Sequence, residues 1–197
     1  MTVLNIHIYG DSVLRAKAEP IEQVTEEIRR LVADMAETMY AAGGIGLAAN
    51  QVGVPQRLVI IDVNQVESES ERPQGRRKVN PAKRQLLPFL NPEVIGNGAE
   101  DRSLKEGCLS IPGLEGEVYR PLRVKVRYQD LEGATHELEA EGLLARVVQH
   151  EIDHLNGVLF IDRMAQENRR TLAGELSKLR KLAEENPQGI PAAKVRK

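Results

Sequence analysis

Five consecutive residues, His150-Glu151-Ile152-Asp153-His154, carry the strongest chemical signal in the chain. On a helix, positions i and i+4 share a face, so both imidazoles can reach one metal ion. Glu151 follows the first histidine and can approach the water such an ion activates, as a general base. A bare match to this spacing also fits two histidines on a solvated helix face. Here, however, Leu143, Leu144, Val147, Val148, Ile152 and Leu155 surround them. Burying these polar groups with nothing to bind would be heavily penalised. A hydrolytic metal needs a third protein ligand and an open position. No histidine follows His154, which excludes the extended H-x-x-G-x-x-H pattern. Glu167 and Glu175 are available downstream, and Cys108 is the one thiol. Read alone, Cys108 is better taken as a small buried hydrophobe, with the nucleophile of a Cys–His pair as a third reading.

The elements that must position these groups can be read from periodicity. Leu143 to about Asn156 is apolar over much of its girth, as expected of a helix in the middle of a domain, with Gly157 as its stop. An earlier helix is expected from a Thr25 cap to about Ala42, its apolar face made by Ile28, Leu31, Val32, Met35 and Met39. Residues 3–9 read as a short strand and Arg57–Val63 as a buried one. Leu90–Ile95, Arg123–Gln129 and Ala134–Ala140 read as further strands, with Gly133 in the turn between the last two. Ile111-Pro112-Gly113 reads as a strand end and turn after Glu106–Ser110. A third helix is expected from Arg163 to Glu185 on a leucine stripe, and the last ten residues as a tail. Residues 66–87 are polar, carry two prolines and read as an exposed loop. The order implies an α+β fold, with antiparallel β-sheets packed around a central metal-binding helix plus a C-terminal helix.

Composition narrows the partners. The chain has 197 residues, a net charge of −2, no tryptophan and 3% aromatics. That gives no electrostatic case for DNA and no aromatic platform for stacked bases. No apolar run reaches about 18 residues, so no membrane partner is expected. A single cysteine and no secretion signal at the start fit a reducing, cytoplasmic setting.

Three segments resemble the signature motifs of the peptide deformylase family: GIGLAANQ at Gly44–Gln51, EGCLS at Glu106–Ser110 and QHEIDH at Gln149–His154. Each is modest alone; together, in this order and spacing, they are very specific. Flanking similarity in DSVLR, LNPEV and DHLNGVLFIDRM extends the resemblance from about residue 3 to 165. It implies a catalytic domain over 1–165, carrying a 66–87 loop longer than the common form, then a C-terminal helix and basic tail over 166–197.

The resemblance also implies the chemistry. Cys108, His150 and His154 would hold one divalent metal ion, Fe2+ natively, with Zn2+, Ni2+ or Co2+ replacing it in purified protein. The substrate would be the N-formylmethionyl end of nascent peptides, with formate released. Glu151 would act as base and then acid. The Gln51 side-chain amide and the Leu109 backbone N–H would stabilise the oxyanion; read alone, Gln51 is a polar residue ending a loop. Ile45, Gly46 and Gly107 would pair with the substrate backbone. Ile45, Leu143, Val147 and the aliphatic stem of Arg146 would line the methionine pocket, with the Arg146 head reaching water. Glu115 stands where some members carry a peptide-holding arginine, while Arg120 keeps the second basic position.

Two other readings use the same residues: a zinc peptidase cutting peptide bonds, and a binding module with a structural metal. Three good ligands, not four, argue against the closed structural site. Residues 164–197 carry eight Lys or Arg against four Glu, a net +4 that leaves −6 on the rest of the chain. The asymmetry suggests that the C-terminal helix contacts ribosomal RNA, near the emerging substrate.

Overall fold

The computed structural model describes residues 2–64 and 81–195. Most of the expected 66–87 loop, up to residue 80, lies outside the described residues. Its end is not loop: Pro81–Lys83 form a 3-10 turn, and a strand begins at Leu87.

The central feature is a five-stranded antiparallel sheet. Its strands are β2 (Gly46–Ala48), β3 (Leu58–Ile61), β4 (Leu87–Asn97), β7 (Arg123–Gln129) and β8 (Thr135–Glu141), in the order β2-β3-β4-β7-β8. Helix α1 (Glu26–Ala42) covers one face and helix α2 (Gly142–Leu155) the other. β3 is therefore buried on both faces. Leu58 and Ile60 pack with Met35 and Met39 of α1, while Val59 and Ile61 pack with Val148 and Ile152 of α2. All four are fully buried, which is why this strand reads as a continuous apolar run. β7 instead alternates: Val124 and Val126 face α2, and Arg123, Lys125 and Arg127 face solvent.

The helix ends follow local chemistry. Thr25 Oγ1 accepts from the Ile28 N–H at α1's start, and Gly43 ends it in the left-handed region at φ 71°. Asn91, at φ 51°, is a rare left-handed non-glycine. Its side chain accepts from the Ile21 N–H and donates to the Ile21 carbonyl, tying the approach to α1 onto β4.

A second sheet is the long hairpin of β5 (Asp101–Cys108) and β6 (Ile111–Pro121), which the sequence patterning missed apart from its Cys108 end. The turn lies at Leu109–Ser110, so Ile111-Pro112-Gly113 opens β6 where a strand end was expected. The hairpin escaped notice because few of its side chains are buried. Ile111 and Val118 are, against Leu14, Phe160 and Leu176.

The N-terminal strand is also shorter than expected, β1 (Asn5–Ile6), because its flanking N–H groups bond elsewhere. His7 N donates to the Gln51 carbonyl and Tyr9 N to the Ser110 carbonyl. The expected Arg163–Glu185 helix is broken into α3 (Gln166–Thr171) and α4 (Ala173–Glu185). At the break the Thr171 hydroxyl donates to the Asn168 carbonyl, and the Leu172 N–H turns to Arg169 instead.

Nor is the end of the chain a tail. β9 (Ile190–Pro191) pairs with β1, and α5 (Ala192–Val195) follows. Ile190, Ala192 and Val195 are buried against Ile6, Ile8 and Ala42. Among the described residues no helix is long and apolar enough to cross a membrane. Truncation after Gly189 removes Ile190 and Val195 from this cluster. At roughly 1.5–3 kcal/mol for each buried side chain, and about 2–4 °C per kcal/mol at this size, Tm should fall by roughly 6–24 °C. Thermal unfolding followed by circular dichroism measures it; a free tail would leave Tm unchanged.

Candidate metal centre

Two elements bring the chemistry together: the end of β5 with its turn, and the buried helix α2. Cys108 Sγ, one nitrogen of His150 and one of His154 all lie within 4.8 Å of one another. Cys108 Sγ is 3.2 Å from His154 Nε2. The histidines sit on one face of α2, as the i, i+4 spacing requires. Glu167 and Glu175 are not in the cluster; both are exposed, and Glu175 pairs with Lys178.

A divalent metal ion fits these residues. A thiolate and two imidazoles form a donor set suited to iron, zinc, nickel or cobalt. Burial lowers the pKa of His154 well below its usual range, so its ring is neutral and offers a lone pair. Next in the chain to His150, the buried Glu151 Oε2 has no hydrogen-bond partner among the described residues. A bound water or ligand would satisfy that oxygen. Burial pushes the Glu151 carboxyl up to about 7, the range suited to accepting and returning a proton near neutral pH.

Glu151 can stand there because Gly46 lacks a side chain. A Cβ on Gly46 would lie 2.4 Å from Glu151 Oε1 and 2.8 Å from Val147 Cγ1. Gly46 is also the first residue of β2, an edge strand of the main sheet, next to Ile45. Ile45 packs in the same core cluster as Val147. Leu143, on α2's first turn, is 38% exposed. Gly107 lies on β5 opposite Glu115, one residue before the thiol, and Leu109 follows the thiol in the turn.

Gln51 is buried and fixed in orientation. Its Oε1 accepts from the Ala48 N–H at 2.8 Å. Its amide nitrogen is thereby aimed at the site, donating to Ser110 Oγ at 3.1 Å and towards Cys108 Sγ at 3.5 Å.

The residue that sequence reasoning passed over is Glu106. It is 5% exposed and accepts from four donors. Arg120 binds it twice, Nε at 2.7 Å and Nη2 at 3.0 Å; Arg146 Nη1 binds at 2.6 Å and His150 Nδ1 at 3.1 Å. Burial alone would raise its pKa, but the bonds from His150 and Arg120 bring it down to about 2. An ionised carboxylate only accepts, so His150 carries its proton on Nδ1 and turns Nε2 towards the metal site. Arg120 continues the network to Asp153 at 2.8 Å, which Arg163 also binds at 2.6 and 2.5 Å. The available signals were spacings: Glu106 is two residues before Cys108 on one strand face, and Asp153 is three after His150 on the helix.

Two expectations are corrected here. The Arg146 head does not reach water: it is buried, bonded to Glu106, the Val118 carbonyl and the Arg102 carbonyl. Arg120 is 3% exposed and committed to Glu106 and Asp153, so it is not free to hold a peptide.

The chain is similar to known proteins over nearly its whole length. A family model described as polypeptide deformylase matches residues 3–170. A peptide deformylase of Rhodopseudomonas palustris is 44% identical over 192 residues, 98% of each chain. The crystal structure of a plant peptide deformylase superposes with a TM-score of 0.82 at 34% identity, covering 97% of both chains. That of a Synechococcus elongatus peptide deformylase, in complex with actinonin, gives 0.74 at 40% identity, covering 89% of both.

The Glu106 network yields a test. Glu106→Gln keeps the shape but leaves Arg146 without its buried counter-charge and Arg120 with Asp153 alone. Stability should fall by roughly 3–5 kcal/mol, and metal affinity by about 10- to 100-fold because His150 loses its orienting acceptor. Urea unfolding and metal competition with a chelator read the two effects. An unchanged urea midpoint would show that the carboxylate does not hold the network.

Proposed function

The chain belongs to the peptide deformylase family, and on that premise we propose how its own residues divide the work. It is a metal-dependent hydrolase that removes the N-formyl group from newly synthesised peptides. Cys108, His150 and His154 would hold the ion, with Fe2+ as the native metal and Zn2+, Ni2+ or Co2+ as substitutes. When bound, such an ion supplies Lewis acidity and makes a nearby water a stronger acid.

Glu151 accepts the proton as that water adds to the formyl carbon. It then returns the proton to the departing amine, so formate and a free methionyl N-terminus result. The anchored Gln51 amide donates to the oxyanion that develops, together with the Leu109 backbone N–H. Because the Ala48 N–H already fixes the amide, no reorientation is needed in the transition state. The edge strand holding Gly46, with Ile45 before it, pairs with the peptide backbone, and Gly107 serves the other side. Backbone pairing tolerates variation beyond the first residue, as a general processing enzyme requires. Ile45, Leu143, Val147 and the Arg146 stem receive the methionine side chain. The buried position of the Arg146 head supports this, since it draws the stem inward across the helix.

The observation that carries the proposal is the buried Glu151 oxygen, unpartnered among the described residues, on the residue next to His150 of the three clustered donors. Glu151→Ala should keep near-stoichiometric metal while formyl-peptide hydrolysis falls at least about 100-fold, the scale of general acid–base catalysis. Metal loss accompanying the activity loss would make Glu151 a ligand. Turnover of the acetylated twin comparable to that of the formyl-peptide would favour a broader peptidase.

We also place the enzyme in the cytoplasm, at the ribosome, through its C-terminal segment, which carries a net +4 over residues 164–197. Lys181 and Lys178, the latter paired with Glu175, are exposed on α4, while Leu176 and Ala183 pack inward, so one face holds the domain and another faces outward. Deleting this segment would remove core, so charge reversal is the cleaner probe. Lys178→Glu with Lys181→Glu should weaken co-sedimentation with ribosomes at low salt, leaving Tm and short-peptide hydrolysis unchanged. Undiminished co-sedimentation of the double variant would refute the contact.

A further inference from the structure

A cleft of about 540 Å3 opens along a flank of α2 beside the face that carries the metal ligands. Gln149, Asp153 and Asn156 line it; at 100° per residue they lie roughly 80–140° around the helix from the mean direction of His150 and His154. Its size falls in the range of small-molecule sites, roughly 300–1000 Å3.

The lining is basic although the chain as a whole is at −2. Lys17, Arg57, Arg120 and Arg163 face two carboxylates, Glu93 and Asp153. Asp153 is already committed to Arg120 and Arg163. Arg163 reaches it through Nε and Nη2, which leaves Nη1 for another acceptor. Arg57 is the more telling residue. Its guanidinium is partly buried, and its hydrogen bonds go to neutral acceptors, Asn156 Oδ1 at 3.1 Å and the Pro92 carbonyl at 2.9 Å. Among the described residues neither Arg57 nor Lys17 forms an ion pair; Glu93 acts on Arg57 only through space. A partly desolvated guanidinium with a neutral shell is short of one strong acceptor.

We propose that this cleft binds a small phosphate-bearing molecule, with Arg57, Lys17 and Arg163 as its anion contacts. The three cations come from separate chain segments and line one cleft. A tetrahedral oxyanion presents oxygens in three directions, whereas a carboxylate presents two in one plane. Tyr119, 70% exposed at the edge of the cleft, offers a ring face to whatever the phosphate carries. The proposal does not depend on the chemistry assigned to the metal centre.

The test is calorimetric titration of the metal-loaded, full-length protein with inorganic phosphate and, separately, adenosine monophosphate. One saturable site is expected. Affinity should fall at least about tenfold, roughly 1.4 kcal/mol, in Arg57→Met and in Lys17→Glu. Lys17 is exposed and unpaired, so its variant reports even if Arg57→Met folds poorly. Formyl-peptide hydrolysis should be unchanged in Lys17→Glu. Tighter binding of adenosine monophosphate would identify a phosphomonoester whose ring uses Tyr119, and equal affinities free phosphate. Equal phosphate binding by wild type and Lys17→Glu, as expected of phosphate held by the metal ion itself, would overturn the proposal, as would no binding.

Discussion

The structure depends on one buried carboxylate. Glu106 collects Arg120, Arg146 and His150 from a strand and a helix far apart in sequence, and so fastens the β5–β6 hairpin to α2. Buried ion pairs are poor investments in stability when hydrophobic packing could replace them. This one has another use. The thiol is on the hairpin and the imidazoles are on the helix, so the donor set exists only if the two elements are held in register. The same carboxylate fixes which nitrogen of His150 bears the proton. Position and tautomer are decided by a single group that never touches the substrate.

The rest of the fold supplies the conditions under which that network is tolerable. β3, buried on both faces, anchors a sheet with α1 on one side and α2 on the other. α2 can then be buried on nearly all sides, the environment that raises Glu151 and keeps His154 neutral. In water neither shift would occur. The penalty for an unpartnered Glu151 oxygen is borne by the packing around it, as expected where function overrides local satisfaction. Gly46 shows the same logic in steric form, since only a residue without Cβ lets the edge strand and the carboxylate share the space.

The chain ends contribute more than closure. The N-terminal segment gives its N–H groups to the carbonyls of Gln51 and Ser110, the residues around the thiolate. β9 pairs with β1, so the last turns of the chain support the first. The C-terminal segment thus supports the site region at one remove.

Much of the candidate site was legible in the sequence because its chemistry is local. The i, i+4 histidines, the glutamate between them and the lone thiol declare themselves by residue type, and α2's apolar girth announces its burial. α1, β3 and β7 were legible for the same reason: burial on one face or two prints a period on the chain. What the sequence could not settle was pairing across distance. Nothing local says that Glu106 meets Arg120 and Arg146, or that Arg146 turns its head inward, because each partner alone looks like a solvated charge. The β5–β6 hairpin left little pattern since most of its side chains remain exposed. The last residues looked like a tail because a two-residue strand and a one-turn helix are too short to show a period. The chain by itself determined which groups could do chemistry and which elements carry them. Only the tertiary structure decided how they are held, because charges acquire strong, directional partners only once they leave water together.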